Sequence, residues 1–424
     1  MTSAATRSVL IFLLVIGCSE RERTNPLDPN NPVTKGAPVG LEVVTILDAA
    51  IVNWGPFNVD DLTSYRVYRW TDSDTPSVRA NISSQISRFL DFNLTYDQKY
   101  YYAVQAITVT HESEISAPDS AIPGPNNFLI IDLNDAALKR VAYDGSHIIS
   151  QVYVNAPVAL VAEPNRNRFW VADFWNRTIN IFANDLTVEG TVELSGSPLD
   201  LAMAADSRRV YCLQINPDTI IVSNLLGDLV NGLDIPEDLN LRSIITVDEI
   251  AGQVWLGLPD PTGEGRLYRT DYRLRPTMWH TAGSFANLQA IVADPVNGGV
   301  WVAAQGGVAH VSPNSQPPVI FAADVNVFDI SLNPDNGDCY FIGQQGSEGS
   351  SVVGRIGSNL DIDQITVNEL PVGELTRLQS LAGEGPVGFL AWQASEGRLL
   401  RFTYHGERIG GMDGVTGVKD LALE

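Results

Sequence analysis

Residues 123 to 424 repeat themselves, and that limits what this chain can fold into more than any other feature of it. An apolar run, a polar turn and a second apolar run carrying an aromatic residue recur as "VALVAEPNRNRFWVAD", "LDLAMAADSRRVYCLQ", "IITVDEIAGQVWLGL", "AIVADPVNGGVWVAA", "DISLNPDNGDCYFIG" and "SLAGEGPVGFLAWQA". The aromatic positions are Trp170, Tyr211, Trp255, Trp301, Tyr340 and Trp392, spaced 41, 44, 46, 39 and 52 residues apart. A third apolar run often follows, as in "TINIFAND", "TIIVSNL", "GRLYRTD" and "RLLRFTYHGE". Runs this short and this apolar read as strands buried on both faces, and one such unit cannot bury its own surface without neighbours.

Several short strands per unit, at a period of about 40 to 45 residues, is the pattern of β-propeller blades. The ends of the region fit a closed ring. "NNFLIIDLNDAALKRVAYDG" supplies a second and third strand, with Leu129 at the aromatic position, but no first strand; "VKDLALE" supplies a first strand and nothing after it. Joined, they complete one blade and hide two sheet edges. With six internal copies the expectation is seven blades, and six or eight if one repeat is miscounted. The repeat "PVALVAEPNRNRFWVADFWNRTINIFAND", with Val171-Ala172-Asp173 and then Asn176-Arg177, resembles the NHL-repeat family. "RRVYCLQINPDTIIVSN" is similar to YncE-type and surface-layer propeller repeats. That resemblance implies binding of proteins, RNA or small molecules more often than catalysis.

Residues 37 to 122 have a different pattern. "SYRVYRW" alternates with period two, and "RFLDFNLTYDQKYYYAVQAI" places Tyr100, Tyr102, Val104 and Ala106 on one strand face. Short alternating strands between turn residues indicate an antiparallel sandwich. Asp91, Leu94, Tyr100, Tyr102, Val104 and Ala106 at these spacings closely resemble the fibronectin type III domain, and Trp54 is similar to its core tryptophan. The resemblance implies that the Tyr100 hydroxyl ties a strand crossover to backbone, and that the domain serves as a spacer.

The N-terminus speaks to location. Arg7 precedes an uninterrupted apolar run from Val9 to Ile16, too short to span a bilayer as a helix, followed by Gly17 and Cys18. Val15-Ile16-Gly17-Cys18 resembles the bacterial lipoprotein lipobox, which implies that residues 1–18 are a signal segment ending at a lipidated Cys18. Ser19 after the cysteine favours outer-membrane sorting in the bacterial envelope. Residues 19–36, rich in charge, Pro and Asn, read as a flexible tether. The net charge of −23, from 27 Lys and Arg against 50 Asp and Glu, argues against nucleic acid as a partner. Cys212 and Cys339 fall at similar places in two distant repeats and read as buried free thiols.

Chemistry is sparse. His147, His280, His310 and His405 map to outer strands of their units and His111 to the sandwich, which argues against a central histidine-ligated zinc. Asp132 and Asp173 read as turn caps. One pattern remains: Asp200, Asp329 and Asp420 occupy the same position at the opening of a first strand, where the other copies carry Ala159, Ala290, Ser380 and either Ser243 or Ile244. Carboxylates at one repeat position meet near the channel axis, where they bind a ligand or cation, or accept hydrogen bonds from nearby backbone amides. For a cation, hard oxygen ligands suit calcium better than zinc. The expectation is therefore an all-β chain: a fibronectin type III sandwich (37–122), then a propeller (123–424) closed by its terminal strands. Its function is read as a lipid-anchored, extracytoplasmic binding or scaffold protein for a protein or glycan of the cell envelope, without a required cofactor. The rival reading is a metal-dependent, lactonase-like hydrolase or a lyase with its site at the channel mouth.

Overall fold

The computed structural model describes residues 24–163, 168–260, 263–275, 280–314, 317–345, 351–357, 361–365, 375–381 and 387–424. Cys18 and the rest of the expected signal segment, residues 1–18, lie outside them. Every regular element among the described residues is a β-strand. The chain forms two compact units, the larger of which holds all of residues 121–424.

Toward the N-terminus, strands Glu42–Ile46, Ala49–Asn53 and Arg88–Asp91 make a three-stranded sheet. A four-stranded sheet runs in the order Ser77–Ser83, Leu62–Trp70, Tyr100–Thr108, Asp119–Ala121. Period-two alternation buries Tyr65 and Val67 and leaves their neighbours Arg66 and Tyr68 partly exposed. The buried Trp54 ring meets Tyr65 edge-on, with centroids 5.2 Å apart. The Tyr100 hydroxyl accepts a hydrogen bond from the Thr95 backbone N–H at 3.1 Å, the tie expected at that corner. Within the expected tether, residues 25–36 form consecutive turns with internal hydrogen bonds. Asn31 is buried, its amide donates to the Asn25 carbonyl, its Oδ1 accepts from Val33 and Thr34, and the Thr34 hydroxyl donates to the Pro26 carbonyl. The Asn-, Asp- and Pro-rich composition that suggested a leash is also the composition that makes consecutive turns.

Seven four-stranded antiparallel sheets lie among the described residues of the larger unit. Six follow sequence order, with first strands Pro157–Glu163, Ser197–Ala204, Ile244–Asp248, Ala290–Ala293, Val325–Leu332 and Leu375–Ser380. In the seventh, Val418–Leu423 pairs with Phe128–Asp132, which continues through Ala137–Val141 to Ile148–Tyr153. Each first strand packs beside the first strand of the next sheet, and Val418–Leu423 sits between Leu375–Ser380 and Pro157–Glu163, closing a ring. This is the blade arrangement of a β-propeller.

Hydrophobic seams hold the sheets together. Trp170 packs with Leu201 and Cys212 of the next sheet; Tyr211 packs with Ile245 and Leu256; Trp255 with Ile291 and Val302. Trp301 packs with Ile330 and Phe341, Tyr340 with Leu378 and Phe389, Trp392 with Phe128 and Leu421, and Leu129 with Leu160 and Phe169. The repeated large residue of each sheet is thus buried by the sheet that follows, which is why no repeat is a core by itself. Truncating one of these aromatics to Ala carries a cost of about 3–5 kcal/mol. Cys212 and Cys339 are free and buried. Both point away from the neighbouring aromatic, into the seam with the preceding sheet.

The strand Phe128–Asp132 is buried along its whole length and depends on Val418–Leu423 for its second neighbour. Deleting residues 417–424 is expected to expose that edge, lower the melting temperature and promote aggregation. A truncated protein that stays monomeric and melts like the parent would contradict this closure.

Candidate functional site

A cavity of about 740 Å³ is lined by residues from all seven first strands. The first strand is the edge of its sheet, so half of its backbone N–H groups have no strand partner and face this cavity or the next sheet. Five of the seven first strands also carry a register shift near their start, as between Pro157 and Ala159, Pro198 and Asp200, Val327 and Asp329, Leu375 and Arg377, and Val418 and Asp420. The residue after the shift is the one that opens the regular ladder.

Asp200, Asp329 and Asp420 all occupy that position, and all three line the cavity. Each reaches across a seam. Asp420 Oδ2 accepts from the Leu160 N–H at 3.0 Å, Asp200 Oδ2 from Ile245 at 2.8 Å, and Asp329 Oδ2 from Leu378 at 2.9 Å. The other oxygen turns back on its own strand: Asp200 Oδ1 accepts from Leu201 and Asp420 Oδ1 from Leu421, both at 2.9 Å. The carboxylates therefore serve unpaired edge amides, and the amides belong to the first strand of the neighbouring sheet. Hydroxyls do the same work: Thr246 Oγ1 accepts from Ala293 at 3.2 Å at another seam, and Ser331 Oγ accepts from Ser380 at 3.0 Å further along the seam that Asp329 joins.

The pairing corrects one assignment made from sequence. Ser380 pairs with Phe389, deep in the hairpin, whereas Arg377 follows the register shift and pairs with Trp392. Arg377, not Ser380, is the counterpart of the three aspartates. Ile244 rather than Ser243 holds the place in its sheet, pairing with Gly257. The ring at this level thus reads Asp420, Ala159, Asp200, Ile244, Ala290, Asp329, Arg377. Two further cations line the same cavity, Lys419 in the register shift beside Asp420, and Arg242 just before Ile244. Neither was singled out from sequence, because neither occupies a repeated position.

Electrostatics follow from this crowding. Burial pushes the Asp200 carboxyl up to about 7, against the pull of the Ile245 amide and with a further push from Asp420. Burial also raises Asp329 to about 6, opposed first by the Arg377 guanidinium. Asp420 is raised by burial, with the Leu160 amide and Arg377 holding it down. The Lys419 ammonium is lowered by burial and then by Arg377. Among the described residues, no group of three His, Cys, Asp or Glu side chains stands where it could hold a metal ion.

The remaining candidates are structural. Asp132 Oδ1 accepts from Asn134 and Asp135 N–H groups and Asp173 Oδ1 from Asn176, which are turn caps. His310, on a third strand, lies against the Trp301 ring with Nε2 3.2 Å from Asp294 Oδ2. His280 opens a fourth strand, and His147 and His405 sit in the turns that lead into fourth strands, all away from the cavity lining.

No family model and no curated protein matches the sequence. Among solved structures, the chain is similar to apo AztD from Citrobacter koseri, at 12% identity and a TM-score of 0.46, covering 69% of this chain and 84% of that one. It is similar to the dihydro-heme d1 dehydrogenase NirN in complex with DHE, at 14% identity and a TM-score of 0.45, covering 68% of this chain and 63% of that one. A Bacteroides thetaiotaomicron structural genomics protein of unknown function is similar at 12% identity and a TM-score of 0.40, covering 91% of this chain and 98% of that one.

The raised Asp200 carboxyl has a consequence for stability. Between its ordinary 3.8 and its raised value of about 7, the folded protein holds a proton at Asp200 that the unfolded chain has lost. Stability from this group is therefore full below the lower value and falls as pH rises through the upper one. Relative to Asp200→Asn, the parent is expected to gain melting temperature as pH is lowered across that window. A parent-to-variant difference that stays constant with pH would contradict the assignment.

Proposed function

We propose that this chain is a lipid-anchored, extracytoplasmic binding or scaffold protein, whose seven-bladed NHL- or YncE-like propeller takes a protein or glycan partner of the bacterial envelope. The apolar run Val9 to Ile16 followed by Gly17-Cys18 supports the anchor, with Cys18 as the acylated residue and the outer membrane as its destination. The N-terminal sandwich, read as a fibronectin type III domain by its Trp54 packing and Tyr100 tie, is a spacer in the chain between anchor and propeller.

One observation favours binding over the metal-dependent hydrolase or lyase reading. The three repeat-position carboxylates are engaged by backbone amides of adjoining sheets, so their task is to hold the ring. Calcium chemistry would need those oxygens free and converging. The cavity that they line, about 740 Å³, is within the range of small-molecule and side-chain recognition sites.

A photo-crosslinking amino acid in place of Leu241, an exposed residue of the cavity lining, tests this reading in intact cells. The expected outcome is one discrete adduct, lost when Cys18→Ala removes both the acyl label and membrane retention. Calcium- or zinc-dependent opening of lactones by the purified protein, abolished by Asp→Asn changes at Asp200, Asp329 and Asp420, would overturn it in favour of the hydrolase.

A further inference from the structure

The same cavity contains three cationic side chains that form no ion pair among the described residues. Arg377 Nε donates to the Lys419 carbonyl at 3.0 Å, which fixes the stem of that side chain against the neighbouring first strand. Beyond that bond, the Arg377 guanidinium, the Lys419 ammonium and the Arg242 guanidinium have no hydrogen-bonding or salt-bridge partner among the described residues. Lys419 is partly buried and Arg242 exposed. Burial and then Arg377 lower the Lys419 ammonium, Asp200 and Asp420 partly oppose this, and Arg242 adds a smaller push downward. Like charges brought together in a partly desolvated cavity repel one another unless something of opposite sign is placed between them.

The aspartates of the ring do not fill that role by contact. Their oxygens are held by the amides of Leu160, Leu201, Ile245, Leu378 and Leu421, and none forms a salt bridge with the three cations among the described residues. The carboxylates thus moderate the potential of the cavity while leaving the cationic N–H donors open. A guanidinium presents parallel donors that match the two oxygens of a carboxylate or phosphate, and an ammonium beside it adds a point charge without a fixed direction. The net charge of −23 opposes an approaching anion at long range, but that field is screened beyond about 8–10 Å at physiological salt, so contact chemistry inside the cavity decides occupancy.

We infer that the channel binds a small oxyanion, a carboxylate or phosphate group, between Arg377 and Lys419, with Arg242 as a third contact. This site lies in the same cavity as Leu241, but it rests on Arg377 and Lys419 and does not require the macromolecular partner. The absence of an oxyanion would leave the Leu241 crosslink standing, and the absence of the crosslink would leave the oxyanion site standing.

Isothermal titration of the purified chain with inorganic phosphate and with succinate, each against sodium chloride of equal ionic strength, tests the inference. Saturable binding of at least one probe is expected. Binding of phosphate alone identifies a phosphate-bearing ligand, binding of succinate alone a carboxylate, and binding of both a site that reads only the shared charge and geometry. Arg377→Gln and Lys419→Met are each expected to weaken binding by about tenfold or more, equivalent to about 1.4 kcal/mol. Arg377→Gln also removes the bond to the Lys419 carbonyl and so loosens the ring. Lys419→Met keeps that carbonyl, and its result decides the question if the arginine variant fails to fold. Heats no larger than those of sodium chloride for both probes, or parental affinity in the folded variants, would overturn the proposal.

Discussion

Three of the seven seams of the larger unit are joined by one kind of hydrogen bond: an aspartate on one first strand accepting from a backbone amide on the neighbouring first strand. A ring of sheets leaves every innermost strand as an edge, and an edge carries N–H groups that nothing in its own sheet satisfies. Water could serve them, but a mobile solvent bond does not fix one sheet against another. Asp420 to Leu160, Asp200 to Ile245 and Asp329 to Leu378 each satisfy an edge amide and join two sheets with the same bond. Leaving such an amide without a partner costs about 1–3 kcal/mol, so each link rivals the loss of a well-placed core methylene or two. Charge carries a penalty in this setting, visible in the upward shifts at Asp200 and Asp329, and Arg377 and Lys419 moderate it from the same wall.

The polar ring and the hydrophobic seams divide the work. Seams built on Trp170, Tyr211, Trp255, Trp301, Tyr340 and Trp392 supply most of the adhesion and set the angle between sheets. The inner ring fixes the register of one first strand on the next. Side chains released from the first task are available for function, and on the cavity wall these are the cations. The contrast explains why the most regular feature of the ring, its aspartates, is structural, while Arg377, Lys419 and Arg242, which break the pattern, are the groups on which the proposed oxyanion site rests.

That contrast also explains what the sequence revealed. The aromatic spacing, the incomplete repeat at 126–145 and the lone strand in "VKDLALE" showed the closed ring, because seams and edges are demanded by burial and leave a periodic trace. The Tyr100 tie and the buried Trp54 are instead what the resemblance to the fibronectin type III domain implied. Arg377 left no such trace. The repeat that contains it has its aromatic displaced, with Trp392 paired to Arg377 where Tyr340 pairs to Ser331, so aligning the repeats on the aromatic draws the assignment away from Arg377 toward Ser380. Lys419 lies in a register shift, and such a residue has no counterpart to align with. In residues 25–36 turn-forming and linker compositions coincide, and the partners of Asn31 and Thr34 could not be read from composition.

Hydrogen exchange at the backbone amides of Leu160, Ile245 and Leu378 tests the account most directly, because these edge amides have no partner in their own sheets. Slow exchange is predicted at all three in the parent protein. In Asp200→Ala, exchange is predicted to accelerate at Ile245 and Leu201 while Leu160 and Leu378 remain slow. Exchange at Ile245 that is already as fast as in surface turns, or that is unaffected by loss of the Asp200 carboxylate, would contradict the claim that these aspartates hold the ring.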